Sequence, residues 1–263
     1  MLRSFRSEWI KLRRRAMVLG GAGTLVGFAV LTVALTLMTA STTPADQGPD
    51  QGLTLAQLAA GDGLARTIGG AAQFIGVVAL AMFAISMAGE YTQGTLRNLL
   101  VRQPRRVRLL GGKLLALASF TAVAVVTAEV AAVVTALVVA PSQDIATAAW
   151  FTSDGWAALA SGLGNLLLAT LGWGLIGALL ALLLRSPAAA VGVGLAYALP
   201  FELLVTSAWD SGVRWLPGQL LGTLASGGAA TVTYVRAALL LAIYAALAVT
   251  AGMTLFARRD VAT

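Results

Sequence analysis

Six stretches of this chain run for about twenty residues or more almost without charge, and that pattern limits the possible folds more than any motif does. A helix needs about 20 residues to cross a hydrocarbon core of roughly 30 Å. The segments at 17–40, 68–88, 114–139, 156–184, 188–207 and 237–256 all meet that length. Their apolar residues are continuous instead of alternating, so they read as helices, which satisfy their own backbone groups in lipid, and not as barrel strands. Only 11% of the residues are charged against 58% hydrophobic, too few to clothe a soluble fold of this size. The expectation is an all-α integral membrane protein, a single transmembrane domain over residues 1–263.

The charges then give the orientation. Fifteen of the eighteen basic residues fall in the N-terminal segment, in the second connection, at Arg185 and in the tail at Arg258 and Arg259. The opposite side keeps only Arg66, Arg214 and Arg236, together with Asp46, Asp50, Asp62, Asp144, Asp154 and Asp210. Short cytoplasmic segments of membrane proteins carry the excess of Lys and Arg, which predicts cytoplasmic N- and C-termini. The same distribution accounts for the net charge of +7 without nucleic acid, whose binders present a basic face with interleaved readers. The run at 17–40 follows a basic segment as a signal peptide would, but it is too long for one and reads as a retained first span.

Cysteine and histidine are absent. That excludes disulfides, thiolate or imidazole metal sites and catalysis that depends on either residue. No metal or cofactor is expected on this chain.

The connections carry what character the spans lack. In residues 1–15, Phe5, Trp9 and Leu12 continue a stripe from Leu2 at helical spacing, with Arg13 and most other basic residues off it. This predicts an amphipathic interface helix, its arginines toward anionic headgroups of the membrane lipids, that also touches a cytoplasmic partner. The second connection, 89–113, has Glu90 at the membrane border, a helix-capable run and Pro104 as a breaker before a basic stretch. A charged insert of this kind sits in water, where a soluble partner can grip it. The last outer connection, 208–235, contains Trp209 and Trp215, which suit the interfacial level, and Pro217-Gly218 as an expected helix break. A short helix at or dipping into the outer surface is expected there. Small residues at Gly23 and Gly27, at Gly70 with neighbouring alanines, and along the stripe Ala188, Gly192, Ala196 and Pro200 offer faces for close helix approach.

Two carboxylates fall within spans, Glu129 and Glu202. Ionisable groups there are costly and commonly mark a transport path, as a span-borne amide such as Asn165 can. All three are candidates for lining a path for a cationic or amphipathic substrate, although an interhelical hydrogen bond explains Asn165 equally well, and a helix ended by Pro200 would leave Glu202 at the outer interface.

The pattern E-x-x-x-G-T-L-R-x-L-L-x-x-x-x-R-R-x-x-L-L-x-x-K at Glu90–Lys113 resembles the segment after the second span in permease subunits of ATP-binding-cassette exporters of the type-2 class. The opening S-E-W-I-K-L-R, the six-span layout, the R-S-P turn at Arg185 and the L-P-G-Q segment before the last span are similar to those permeases as well. The resemblance implies that 89–113 is a cytoplasmic coupling helix resting on an ATPase chain, with Glu90, Gly94, Thr95, Arg97, Arg105, Arg106 and Lys113 matching the motif. It also implies a connecting helix at 1–15, a second permease copy, identical or paralogous, and two nucleotide-binding domains supplying ATP and magnesium chemistry. The chain has no G-x-x-x-x-G-K-[ST] of its own, since Gly111-Gly112-Lys113 is followed by Leu114. The expected function is a non-catalytic permease subunit of an exporter of a drug, peptide antibiotic or lipid-like compound in the bacterial cytoplasmic membrane. The alternatives are an ATPase-independent channel or sensor and an intramembrane enzyme, which would need convergent catalytic groups that the spans do not offer.

Overall fold

The computed structural model describes residues 2–40, 53–92 and 106–258. Every regular element among them is a helix: α1 Leu2–Leu12, α2 Arg15–Met38, α3 Leu55–Ala59, α4 Gly63–Gly69, α5 Ala72–Thr92, α6 Arg106–Val139, α7 Ser153–Leu184, α8 Pro187–Ala208, α9 Pro217–Ala225 and α10 Tyr234–Arg258. Six of them, α2, α5, α6, α7, α8 and α10, are long and apolar enough to cross a membrane, the make-up of a multi-pass membrane protein. Two of the six contain a turn of π-helix, Val18–Ala22 in α2 and Tyr197–Phe201 in α8. The second surrounds Pro200, which has no N–H to give the ladder, and Gln73 of α5 donates to the Ala198 carbonyl at 3.0 Å.

Several boundaries differ from expectation. The second span begins at Ala72, because α4 is a separate helix and the chain breaks between them, and it continues to Thr92. The helix that carries the third starts at Arg106, ahead of the span expected from 114: Gly111 and Gly112 lower helix propensity by only about 1 kcal/mol each, and Pro104 lies before the start. At 34 residues α6 is roughly 51 Å long by helical rise, well beyond a ~30 Å hydrocarbon core. Pro217, expected to break a helix, instead starts one, at the first position, where its missing N–H costs nothing.

The core is the α5–α7 pair, and it is built on glycine. Trp173 of α7 is fully buried against Gly76, Phe83 of α5 lies against Gly174, and the Leu80 carbonyl approaches Gly177 so closely that a Cβ there would strike backbone. Leu80 also packs on Gly194 of α8. Of the glycines singled out from the sequence, Gly70 lies near Thr32 of α2, where a Cβ would be 3.8 Å from its methyl, but a Cβ on Gly27 or Gly192 would meet nothing within 4 Å, and one on Gly23 only its own helix. What decides close approach is the partner across the contact, and an i, i+4 pattern does not reveal it. Within an apolar 18-residue stretch of each helix, half or more of the residues are buried in α5 and α7, against 6% in α10, which lies at the periphery.

At the end away from α1, α6 passes into a 3-10 turn at Ala140–Gln143 that stops where Asp144 takes a left-handed conformation (φ 54°), and Thr152 caps α7 by accepting from the Gly155 N–H at 3.2 Å. Thr54 and Gln57 form a capping box on α3, and the Trp150 indole N–H donates to the Leu58 carbonyl at 2.8 Å. These bonds fix the short helices over that end of the bundle. At the other end, α7 and α8 join through a tight turn at Arg185 (φ 54°), with Ser186 capping α8 and Pro187 opening it.

Candidate functional site

Four charged side chains from three helices meet at the α1 end. Lys11 donates to Glu8 on its own helix at 2.6 Å and to Glu90 near the end of α5 at 3.1 Å. Lys113, two turns into α6, lies 2.7 Å from the same Glu90 oxygen and 3.6 Å from Glu8. Carboxylates and ammonium groups alternate, two of each, so the cluster is neutral. Lys113 and Glu8 are each only 6% exposed at the side chain, a burial such charges tolerate only when paired. Burial works against the Lys11 ammonium, but the bonds and charges of Glu8 and Glu90 outweigh it and hold its pKa above the ordinary lysine value.

The network is reached from the sequence in a simple way. Glu8 and Lys11 are one turn apart, so both project from one face of α1. The apolar stripe of that helix then sets its seat: Leu12 is buried, Phe5 stacks on Trp9 with centroids 5.8 Å apart, and Trp9 meets Phe120 of α6 edge-on at 6.3 Å. The stripe therefore faces protein, whereas Ile10 on the other side is exposed. Arg13 is exposed just past the helix end. The Arg185 guanidinium lies 5.9 Å above the Tyr91 ring and adds the α7–α8 turn to the same end.

A groove of about 1230 Å³ opens beside the network. Its walls are α2, α5 and α8, and its mouth is lined by Glu8, Lys11, Arg14, Glu90 and Lys113. Deeper in, the lining is apolar, including Met17, Val77, Met82 and Leu195, up to Phe28 and Phe74, which stack with centroids 5.3 Å apart. A second groove of about 710 Å³, between α7, α8, α9 and α10, has no charged lining residue.

Residues 56–262 match a family described as a protein of unknown function (DUF2705). The chain belongs to the DUF2705 family. No curated protein matches it. The DUF2705 match starts inside α3 and so contains Glu90 and Lys113 but not Glu8 and Lys11. The ion-pair network thus ties the family region to the helix that precedes it.

Of the residues chosen from the sequence, Glu90 and Lys113, the two ends of the 89–113 motif, are brought together. Gly94, Thr95, Arg97 and Arg105 lie outside the described residues, as does the side chain of Arg106, whose backbone opens α6. The three path candidates are scattered, and none lines the charged groove. Glu202 is buried and accepts from the Gly218 N–H at 2.7 Å and the Gln219 amide at 3.3 Å, which pins the start of α9 to α8. Pro200 does not end the helix before it, because the π turn carries the chain past the proline. Asn165 accepts from the Tyr234 hydroxyl at 3.0 Å, joining α7 to α10. Glu129 is buried in α6, and its Oε2 has no hydrogen-bond partner among the described residues. The sequence reading missed Glu8 and Lys11. Their local spacing was visible; their partners, 79 or more residues away, were not.

Proposed function

We propose that the chain is the membrane permease subunit of an ATP-driven exporter of the ATP-binding-cassette type-2 class, with the α1 end in the cytoplasm of a bacterial cell. The observation that carries this reading is the network itself. Glu90 and Lys113 join the two helix ends that flank residues 93–105, and Glu8 and Lys11 join both to α1. A segment held at its base by a buried ion pair is suited to deliver force to the helices behind it. A partner that pushed on 93–105 would move α5 and α6 together, and would move α2 through α1 and the short turn at Arg13–Arg14. Those are helices beside the charged groove, which in this reading is one half of the translocation path, completed by a second permease copy. Energy enters from nucleotide-binding domains outside these residues, and closing them would drive a rigid-body rearrangement of the spans.

The test is purification of the full chain from its native membrane together with whatever P-loop ATPase accompanies it, and measurement of ATP hydrolysis in lipid nanodiscs. Glu90→Ala and Arg97→Glu are expected to lower ATPase retention or to uncouple hydrolysis from added substrate. The reading fails if no such ATPase co-purifies, or if both variants keep wild-type retention and stimulation.

A further inference from the structure

The charge still available at the mouth of the groove is of one sign. Glu8 and Glu90 are both engaged by ammonium groups, and Glu8 and Lys113 are shut away from solvent. Lys11 differs: its side chain is 40% exposed, and its two hydrogen bonds leave one of its three N–H donors unused. Arg14 lines the same mouth, is exposed, and has no carboxylate partner among the described residues. Its backbone N–H donates to the Lys11 carbonyl at 3.2 Å, which holds the two cationic residues side by side. An anionic oxygen placed between them would gain charge-assisted hydrogen bonds without displacing any existing one. A cationic head would find no free carboxylate.

Behind the mouth the groove is apolar for a length set by α2. From Arg14 to Phe28 is roughly 21 Å by helical rise, more than one leaflet of a ~30 Å hydrocarbon core. Gly20 keeps that path open, since a Cβ there would meet nothing within 4 Å. We propose that the groove holds an anionic phospholipid taken from the adjoining leaflet, its phosphate on Lys11 and Arg14 and an acyl chain running past Gly20 toward the stacked Phe28 and Phe74. This deepens the permease reading by naming the class of amphiphile, and it rests on that reading only in treating the bound lipid as cargo.

The experiment uses the full chain alone in detergent. Native mass spectrometry follows retention of phosphatidylglycerol and phosphatidylcholine with matched acyl chains, with melting temperature as a check on folding. The wild type is expected to retain phosphatidylglycerol about tenfold better, because both lipids offer the phosphate but the choline ammonium of phosphatidylcholine would face Lys11 and Arg14 with no free carboxylate to meet it. Arg14→Gln should lower retention of both, phosphatidylglycerol more, and so narrow the preference. Gly20→Leu, which fills the groove without altering charge, should lower both. Equal retention of the two lipids by the wild type would overturn the proposal, as would an undiminished preference in Arg14→Gln. Displacement of phosphatidylglycerol by inorganic phosphate alone would overturn it too, by showing that the tail contributes nothing. Because no ATPase is present, a failure to recruit one sinks the permease reading and leaves this result standing.

Discussion

Lys113 has two carboxylate partners and almost no water. Lys113→Met leaves Glu8 and Glu90 facing a single lysine and is expected to cost about 3–5 kcal/mol, read as a lower melting temperature. The Lys113→Met/Glu90→Met double variant should recover part of that loss, because the Lys11–Glu8 pair then stands balanced. Removing Lys11 has a pH signature. Its folded pKa is raised, so its contribution is complete below the ordinary value of 10.5 and is lost as pH climbs through the folded value. The stability gap between wild type and Lys11→Met should therefore stay constant from about pH 7 to pH 9 and narrow only above 10.5. A gap that closed near neutrality would show that the ammonium is not held by the carboxylates.

Among the elements, α9 and the α5–α7 pair make opposite demands on a single atom. The Glu202 carboxylate accepts from the buried Gly218 N–H at the start of α9 at 2.7 Å. Glu202→Leu removes that acceptor at a cost of about 1–3 kcal/mol, so amide exchange over residues 217–225 should speed up about tenfold or more. At Gly177 the problem is an added atom: Gly177→Ala would drive a methyl into the Leu80 backbone and is expected to destabilise by about 1–3 kcal/mol, whereas Gly27→Ala, with open space around it, should be neutral or slightly stabilising. Thermal unfolding of the two alanine variants side by side checks the contrast. The six spans were legible because length and hydropathy alone define them. The packing glycines were not, because their role depends on Trp173, Phe83 and Leu80 in other helices, and a linear pattern favoured Gly23, Gly27 and Gly192 instead. That α6 starts eight residues ahead of its expected span was hidden for a related reason: the charge of the 106–113 stretch reads as a loop, yet Lys113 is neutralised by partners on α1 and α5. Glu202 and Asn165 were legible as polar residues within spans, but their work, tying α9 to α8 and α10 to α7, depends on contacts with distant segments.

For the whole molecule, the asymmetric distribution of Lys and Arg predicts which side each end faces, and the absence of cysteine makes that easy to test. A cysteine introduced at exposed Thr231 should react with a membrane-impermeant maleimide on intact cells, and one at exposed Ser7 only after the membrane is opened. The reverse pattern would place the charged groove on the outside and end the permease reading. The two π turns also have a consequence for motion at this scale. Each stores one residue more than an α turn needs, and both sit in walls of the charged groove, whereas α5 between them is regular. Letting that spare residue out rotates everything beyond it by about 100° without breaking the helix. In α2 the rotation would sweep Phe28 off Phe74, and in α8 it would swing Glu202 away from Gly218. Two of the groove's three walls thus hold the slack for such a turn, and the regular helix between them holds none.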